Sequence, residues 1–228
     1  NAFKTNRIAH AYILTGVRGI GKTTTARLLA RSLNYETEII NEPNIDMLEF
    51  GKHCLEIMES RHIDVIEMDA ASRTGIADIR EIIDSVNYSP SSARYKIYII
   101  DEVHMLSKAA FNGLLKTLEE PPPHVKFIFA TTEVQKIPLT ILSRCQRFDL
   151  KRFDHDMIKS LINKVCEKEK VSIEDPIIDL IAKASGGSAR DSLSLLDQAM
   201  ALSNDCNISE EKIRQMLGLS DQSRIIDL

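Results

Sequence analysis

The stretch "GVRGIGKT", Gly16 to Thr23, has the residue types and spacing to hold a phosphate chain. It fits G-x-x-x-x-G-K-[ST], with an apolar run, "YILT", before it and a helical run, "TTARLLARSL", after it. Glycine at 16, 19 and 21 lets the backbone turn tightly, so that its N–H groups face inward toward phosphate oxygens. The N-terminus of the following helix adds the positive end of its dipole. Lys22 is the side chain for the β- and γ-phosphates, and the Thr23 hydroxyl is a ligand for Mg²⁺. Thr24 belongs to the same candidate nucleotide-binding set. A glycine-rich turn that binds nothing would need neither the strand nor the helix.

A second run, "KIYIIDEVH", is an apolar strand ending in Asp101 and Glu102. Beside a phosphate loop, Asp101 suits the second magnesium contact and Glu102 suits the general base that polarises an attacking water. Taken alone, "DE" is an ordinary solvated pair at a strand end. "KFIFATTE" ends in Thr131 and Thr132, whose hydroxyls can orient water or sense a γ-phosphate, although threonine simply favours strands. Two arginines are candidates for charge developing at the γ-phosphate. Arg190, in "GGSARDS", opens a helix and can fold back over its own nucleotide, whereas Arg144, in "ILSRCQRFDL", precedes a last strand and suits a neighbouring subunit's site. Spacing alone leaves Arg144 open between that role and an ordinary surface ion pair.

These groups need a scaffold. "AYIL", "DVIEM", "KIYIID" and "KFIFATT" are short, β-branched and aromatic, and helical patterns such as "KAAFNGLLKTLEE" lie between them. That alternation predicts an α/β domain, a parallel sheet with helices on both faces, over residues 1–152. After Arg152 the strand signals stop. Asp154 can cap a helix carrying Ile158, Leu161, Ile162 and Val165, Pro176 fits the first turn of a second, and Ser188 can cap a third with Leu193, Leu196 and Met200 inward. Ser209 can cap a last helix ending at Gly218, so a small helical domain is expected over 153–218, followed by linker at 219–228. Residues 35–53 fit neither pattern and read as an insertion, which is taken to span 35–62.

Composition narrows the class. The 228 residues are 43% hydrophobic and 27% charged, as in ordinary globular proteins. A net charge of −4 excludes a protein that is basic all over, so any DNA contact must be local. Runs such as "IYII" are too short to cross a bilayer. The four cysteines form no CxxC pair and read as reduced thiols in a cytosolic protein. The chain starts at Asn1 in what looks like mid-helix, and is read as part of a longer one.

The sequence resembles the clamp-loader group of AAA+ ATPases, and more closely the gamma/tau family of bacterial DNA polymerase III. The resemblance runs through the blocks above, "DVIEMDAASRTGIADIRE" and the Ser-Arg-Cys triplet at 143–145, and covers nearly the whole chain outside residues 35–53. It implies an AAA+ P-loop ATPase with ATP and Mg²⁺ and a helical lid. Arg144 would be the arginine finger for a neighbouring subunit, Thr132 the sensor 1 residue and Arg190 the sensor 2 residue. The implied partners are delta, delta prime and further gamma/tau copies, the sliding clamp and primer-template DNA, within the polymerase holoenzyme in a bacterial cytoplasm, with no membrane. Ser72, Arg73, Thr74, Ser107 and Lys108 are candidate DNA-backbone contacts.

Two departures stand out. The family's insertion carries four zinc-binding cysteines, but Tyr35 stands at the first position and Cys54 alone remains, so no zinc is expected. Packing through Ile45, Met47, Leu48 and Phe50 is expected to hold the insertion instead. The family's N-terminal adenine-pocket segment and its collar domain also fall outside this sequence. Competing readings are a helicase-type remodelling motor, which does not need the Ser-Arg-Cys triplet, and a nucleotide-binding subunit without turnover, which the intact Lys22, Thr23, Asp101 and Glu102 argue against.

Overall fold

The computed structural model describes residues 8–73, 75–201 and 210–218. Residues 1–7 of the opening helical reading, Thr74, Ser209 and the 219–228 linker lie outside them. The chain divides into two compact units: Asn1–Gly16 with Lys22–Leu150, and Val17–Gly21 with Lys151–Leu228.

The first unit is built on five parallel strands: β1 (Ala11–Thr15), β2 (Val65–Asp69), β3 (Lys96–Asp101), β4 (Val125–Thr131) and β5 (Gln146–Asp149), in the order β2-β3-β4-β1-β5. Its helices are α1 (Lys22–Leu33), α2 (Cys54–Met58), α3 (Ile76–Val86), α4 (Lys108–Glu119) and α5 (Leu139–Leu142). Alternate strand residues point to opposite faces, and both faces are covered. Ile13, Tyr98, Ile100, Phe127 and Phe129 share a core with Ile79 of α3 and Leu114 of α4. Tyr12, Leu14, Ile97, Ile99 and Ile128 share another with Ala26, Ala30 and Leu33 of α1. Covering both faces is why the central strands read as unbroken apolar runs. β5 is different: all four of its residues are exposed, and β1 alone pairs with it.

The insertion is not held as expected. Leu48 is 95% exposed, Phe50 74% and Ile45 58%, while Met47 is half-buried. Its buried residues are Tyr35, Cys54 and Ile57, with the imidazoles of His53 and His62 hydrogen-bonded at 2.9 Å. Tyr35 donates to the Glu49 carbonyl at 3.1 Å, and Cys54 Sγ accepts from Arg31 Nε and the Gly51 N–H at 2.9 and 3.2 Å. The physical reason is length. A five-residue helix cannot bury side chains against itself, so Ile57 joins the core beneath α1 and the apolar loop residues stay in solvent. Among the described residues, no three His, Cys, Asp or Glu side chains are grouped to hold a metal ion.

The second unit is helical: α6 (His155–Glu169), α7 (Asp175–Ala184), α8 (Ala189–Ala201) and α9 (Glu210–Met216). The Asp154 side chain accepts from the Met157 N–H at 2.8 Å, Ser188 Oγ accepts from the Asp191 N–H at 3.2 Å, and Pro176 sits in the first turn of α7. Ile158, Ile162, Ile177, Ile181, Leu196 and Ile213 form its core. Leu193 is 37% exposed, against expectation. The inward row of α8 is Ser192, Leu196 and Ala199, and Leu193 lies about 100° around the helix from Ser192. No helix among the described residues is long and apolar enough to cross a membrane.

Candidate nucleotide site

Strand register brings the chemistry of the first unit to one end of the sheet. Thr15 pairs with Thr131, Ile100 with Phe129 and Asp69 with Asp101, so Asp101 ends one strand and Gly16, Glu102 and Thr132 follow the carboxyl ends of adjacent strands. The Gly16 N–H donates to the Thr131 carbonyl at 3.3 Å. Ligands of open parallel sheets bind at such an edge.

Lys22 begins α1 and is 6% exposed, with Nζ donating to the Gly16 carbonyl at 3.0 Å. The Thr23 hydroxyl donates to Asp101 Oδ2. The other oxygen, Oδ1, accepts from the Glu102 N–H at 2.9 Å. A hydroxyl and a carboxylate held together are hard oxygen donors, the kind that Mg²⁺ takes, so this pair fits the expected ion. Thr24 is exposed one residue further along α1.

Glu102 leaves β3 in the left-handed region, φ 45° and ψ 42°, a costly backbone for a non-glycine residue. Its Oε2 accepts from the Thr132 N–H at 3.3 Å and from Thr132 Oγ1 at 3.1 Å. The two residues expected to act on water and on the γ-phosphate therefore touch each other. His104, which sequence reasoning did not single out, lies against the same pair: Nδ1 is 3.4 Å from Glu102 Oε2 and 3.0 Å from Thr131 Oγ1, and Nε2 is 3.3 Å from Glu133 Oε1. "DEVH" carried the only local signal, a histidine just past the carboxylates. The Lys136 ammonium holds the half-buried Glu133 carboxyl below its usual range, with His104 a smaller contributor.

Arg144 is elsewhere. It follows α5, two residues before Gln146, which pairs with Tyr12, while Thr15 beside the phosphate loop pairs with Asp149. Tyr12 to Thr15 spans about 10 Å of strand, and Arg144 lies beyond its far end. The guanidinium donates to Glu119 Oε1 and to the Thr140 carbonyl, each at 2.6 Å. Burial pushes the thiol of the adjacent Cys145 up to about 12.

The second unit holds Gly19 at φ +80°, where a Cβ would meet Ser188 Oγ at 2.1 Å, so only glycine fits. Gly21 is also at positive φ, +85°. Arg190 is exposed and its N–H donates to the Gly19 carbonyl at 3.1 Å. Of the candidate DNA contacts, Ser72, Arg73 and Lys108 are exposed, and Ser107 caps α4 by accepting from the Ala110 N–H at 3.2 Å.

Residues 1–154 match the family model for DNA polymerase III, delta subunit, and residues 157–205 match that for the DNA polymerase III clamp loader subunit, ATPase lid domain. DNA polymerase III subunit tau of Escherichia coli K12 is 48% identical over 100% of this chain, which covers 35% of that protein. Subunit tau of Bacillus subtilis 168 is 49% identical over 90% of this chain and 36% of its own length. Subunit gamma of Buchnera aphidicola subsp. Schizaphis graminum is 46% identical over 97% of this chain and 60% of its own. The chain thus spans about a third of the tau relatives it matches. Among solved structures, the Thermotoga maritima RuvB Holliday junction branch migration motor has a TM-score of 0.65 at 19% identity, covering 96% of this chain and 65% of that one. That likeness shows the fold alone and does not favour a remodelling motor. With the P-loop, the Asp-Glu strand end and the Ser-Arg-Cys turn all present, the chain belongs to the DNA polymerase III clamp-loader subunit family, and its relatives are the tau and gamma subunits.

Proposed function

We propose that this chain is the ATP-hydrolysing module of a clamp-loader subunit that loads the sliding clamp onto primed DNA, within the DNA polymerase III holoenzyme of a bacterial cytoplasm. One observation carries the reading. Lys22, Thr23, Asp101, Glu102 and Thr132 gather at the carboxyl ends of the strands, while Arg144 lies beyond the amino end of β5. An arginine side chain reaches about 7 Å, short of the ~10 Å of strand that separates the two levels before the remaining distance is added. Arg144 therefore serves another subunit's nucleotide, and ATP bound between subunits becomes the reason they close up.

In this mechanism Thr23 and Asp101 would hold a magnesium ion, which when bound would withdraw charge from the phosphate oxygens. Lys22 holds the β- and γ-phosphates with its ammonium. The Thr132 hydroxyl turns from Glu102 to the γ-phosphate, freeing the Glu102 carboxylate to take a proton from the attacking water. Arg144 from the next subunit stabilises charge on the transferring group. Arg190, bonded through its N–H to Gly19 of the phosphate loop, senses the nucleotide, and Thr24 at the start of α1 helps to bind it. The γ-phosphate is present before hydrolysis and gone after, so it supplies the differential interaction that a two-state switch needs. The partners in this reading are delta, delta prime, further gamma/tau copies, the clamp and primer-template DNA.

The test is the full-length protein assembled with its partner subunits and carrying Arg144→Ala. ATP affinity is expected to stay within about twofold while turnover stimulated by clamp and primed DNA falls by ~10³ or more. Unchanged turnover makes Arg144 a surface residue and overturns the inter-subunit reading.

A further inference from the structure

The described side-chain contacts around Glu102 include one that no part of this mechanism uses. His104 sits in the turn Val103–Met105 directly after β3, and its side chain is 6% exposed. Its ring separates two carboxylates. Nδ1 faces Glu102 Oε2 at 3.4 Å and Thr131 Oγ1 at 3.0 Å, and Nε2 faces Glu133 Oε1 at 3.3 Å. Thr131 Oγ1 also accepts from the Glu133 N–H at 3.0 Å, so the oxygen that meets Nδ1 is itself held at the end of β4. The Glu102 side chain needs such a support. It is 29% exposed, stands on a left-handed backbone, and is otherwise tied to β4 through Thr132.

We propose that His104 is a positioning residue for ATP hydrolysis: its Nδ1 edge holds the Glu102 carboxylate in register with Thr131 and Thr132 at the end of β4. The inference rests on Glu102 being the general base. His104 touches neither phosphate nor water in this scheme and acts through Glu102 alone. When the Thr132 hydroxyl leaves Glu102 for the γ-phosphate, the histidine contact remains, and the carboxylate keeps its aim instead of swinging into solvent. A carboxylate misdirected by an ångström loses much of its value as a base, because proton transfer requires hydrogen-bond distance. The effect belongs to the rate of the chemical step, and nucleotide affinity is set elsewhere, by Lys22 and the phosphate loop.

Two polar replacements of similar bulk separate this role from a structural one. In His104→Asn the amide nitrogen can occupy the Nδ1 position and keep the Glu102 side while giving up Glu133. In His104→Gln the amide nitrogen reaches the Nε2 position, keeps Glu133 and gives up Glu102. Both are compared in the full-length protein with its partner subunits, with clamp and primed DNA, measuring kcat, KM, ATP affinity and thermal midpoint. The proposal expects the Asn variant within about threefold of the parent in kcat. It expects the Gln variant to lose ~10- to 100-fold, part of the ~10² to 10⁴ that a positioned base contributes, with ATP affinity changed less than twofold. Equal kcat values for the two variants, or a loss that appears in affinity and not in kcat, overturns it. Glu102→Gln is measured alongside. If that variant keeps its turnover, the assignment of Glu102 as base fails; if it is inactive while His104→Gln turns over normally, only the role given to His104 fails.

Discussion

The carboxyl ends of β1, β3 and β4 and the turn that carries Arg144 use polar side chains in opposite ways. At the strand ends the polar candidates form a chain of contacts: Thr23 touches Asp101, Asp101 touches the Glu102 backbone, and Glu102 touches Thr132. At the turn, Arg144 meets no member of that set and is held by Glu119 and the Thr140 carbonyl. The first region is organised by its own chain. The second holds a cation apart from that set, against the exposed Glu119; in the proposed mechanism its partner in the reaction comes from another subunit. The difference teaches that one part of the proposed site is read by following contacts within the chain, and the other by noticing that Arg144 makes its contacts away from them.

The largest effect should come from breaking the first region. Lys22→Ala is expected to abolish both nucleotide binding and turnover, since it removes the phosphate-facing cation. Arg144→Ala should spare binding, and equilibrium titration with a fluorescent ATP analogue separates the two patterns. Next is the chemistry beside Arg144. With its thiol pushed up to about 12 by burial, Cys145 is ionised at pH 8 to only about one part in 10⁴, against roughly a quarter for an ordinary thiol. Alkylation of Cys145 in the folded protein should be about a thousandfold slower than in urea, as mass spectrometry of time-sampled peptides would reveal. Rapid labelling would mean that the turn is loose and that the contrast between regions is overdrawn.

A third change tests the scaffold beneath both. Burial opposes ionisation of Asp64, but the N–H groups of Ser91, Ala93 and Ser92 and the Ser92 hydroxyl outweigh it and hold the carboxyl below its usual range. Stability from this group is fully present above the unfolded carboxylate value, near 4, and is lost as pH falls through the depressed folded value. Asp64→Asn should cost about 2–3 kcal/mol at pH 7, with the gap from the parent narrowing in acid, as urea titrations at several pH values would record. The smallest effect belongs to Glu119→Gln. An exposed ion pair contributes at most about 1 kcal/mol, so turnover and thermal midpoint should both stay close to the parent. A large loss of turnover would make Glu119 part of the finger's working position.

Much of this was legible in the sequence because the physics is local. The phosphate loop is contiguous, the central strands are apolar runs buried on both faces, and Asp154, Pro176 and Ser188 mark helix starts by short-range chemistry. Contacts made across the sheet were not legible. The sequence separation between His104 and Thr131, or between Arg144 and Glu119, says nothing of their meeting: the first follows from the pairing of β3 with β4, the second from the packing of α5 on α4. The insertion misled for a related reason. Ile45, Leu48 and Phe50 look like core by type, yet Tyr35 and Ile57 are the residues close enough to an existing helix to be buried.

The central claim is that Arg144 works on another copy's nucleotide, and mixing tests it most directly. Full-length protein carrying Lys22→Ala keeps its arginine but has no usable site, and protein carrying Arg144→Ala keeps its site but has no arginine. Each is assembled alone and then together with the same partner subunits, and ATP turnover is measured with clamp and primed DNA. The account predicts that the mixed assemblies recover turnover that neither variant shows alone, because one chain supplies the finger for the other's site. Mixtures no more active than the average of the two separate assemblies would contradict it.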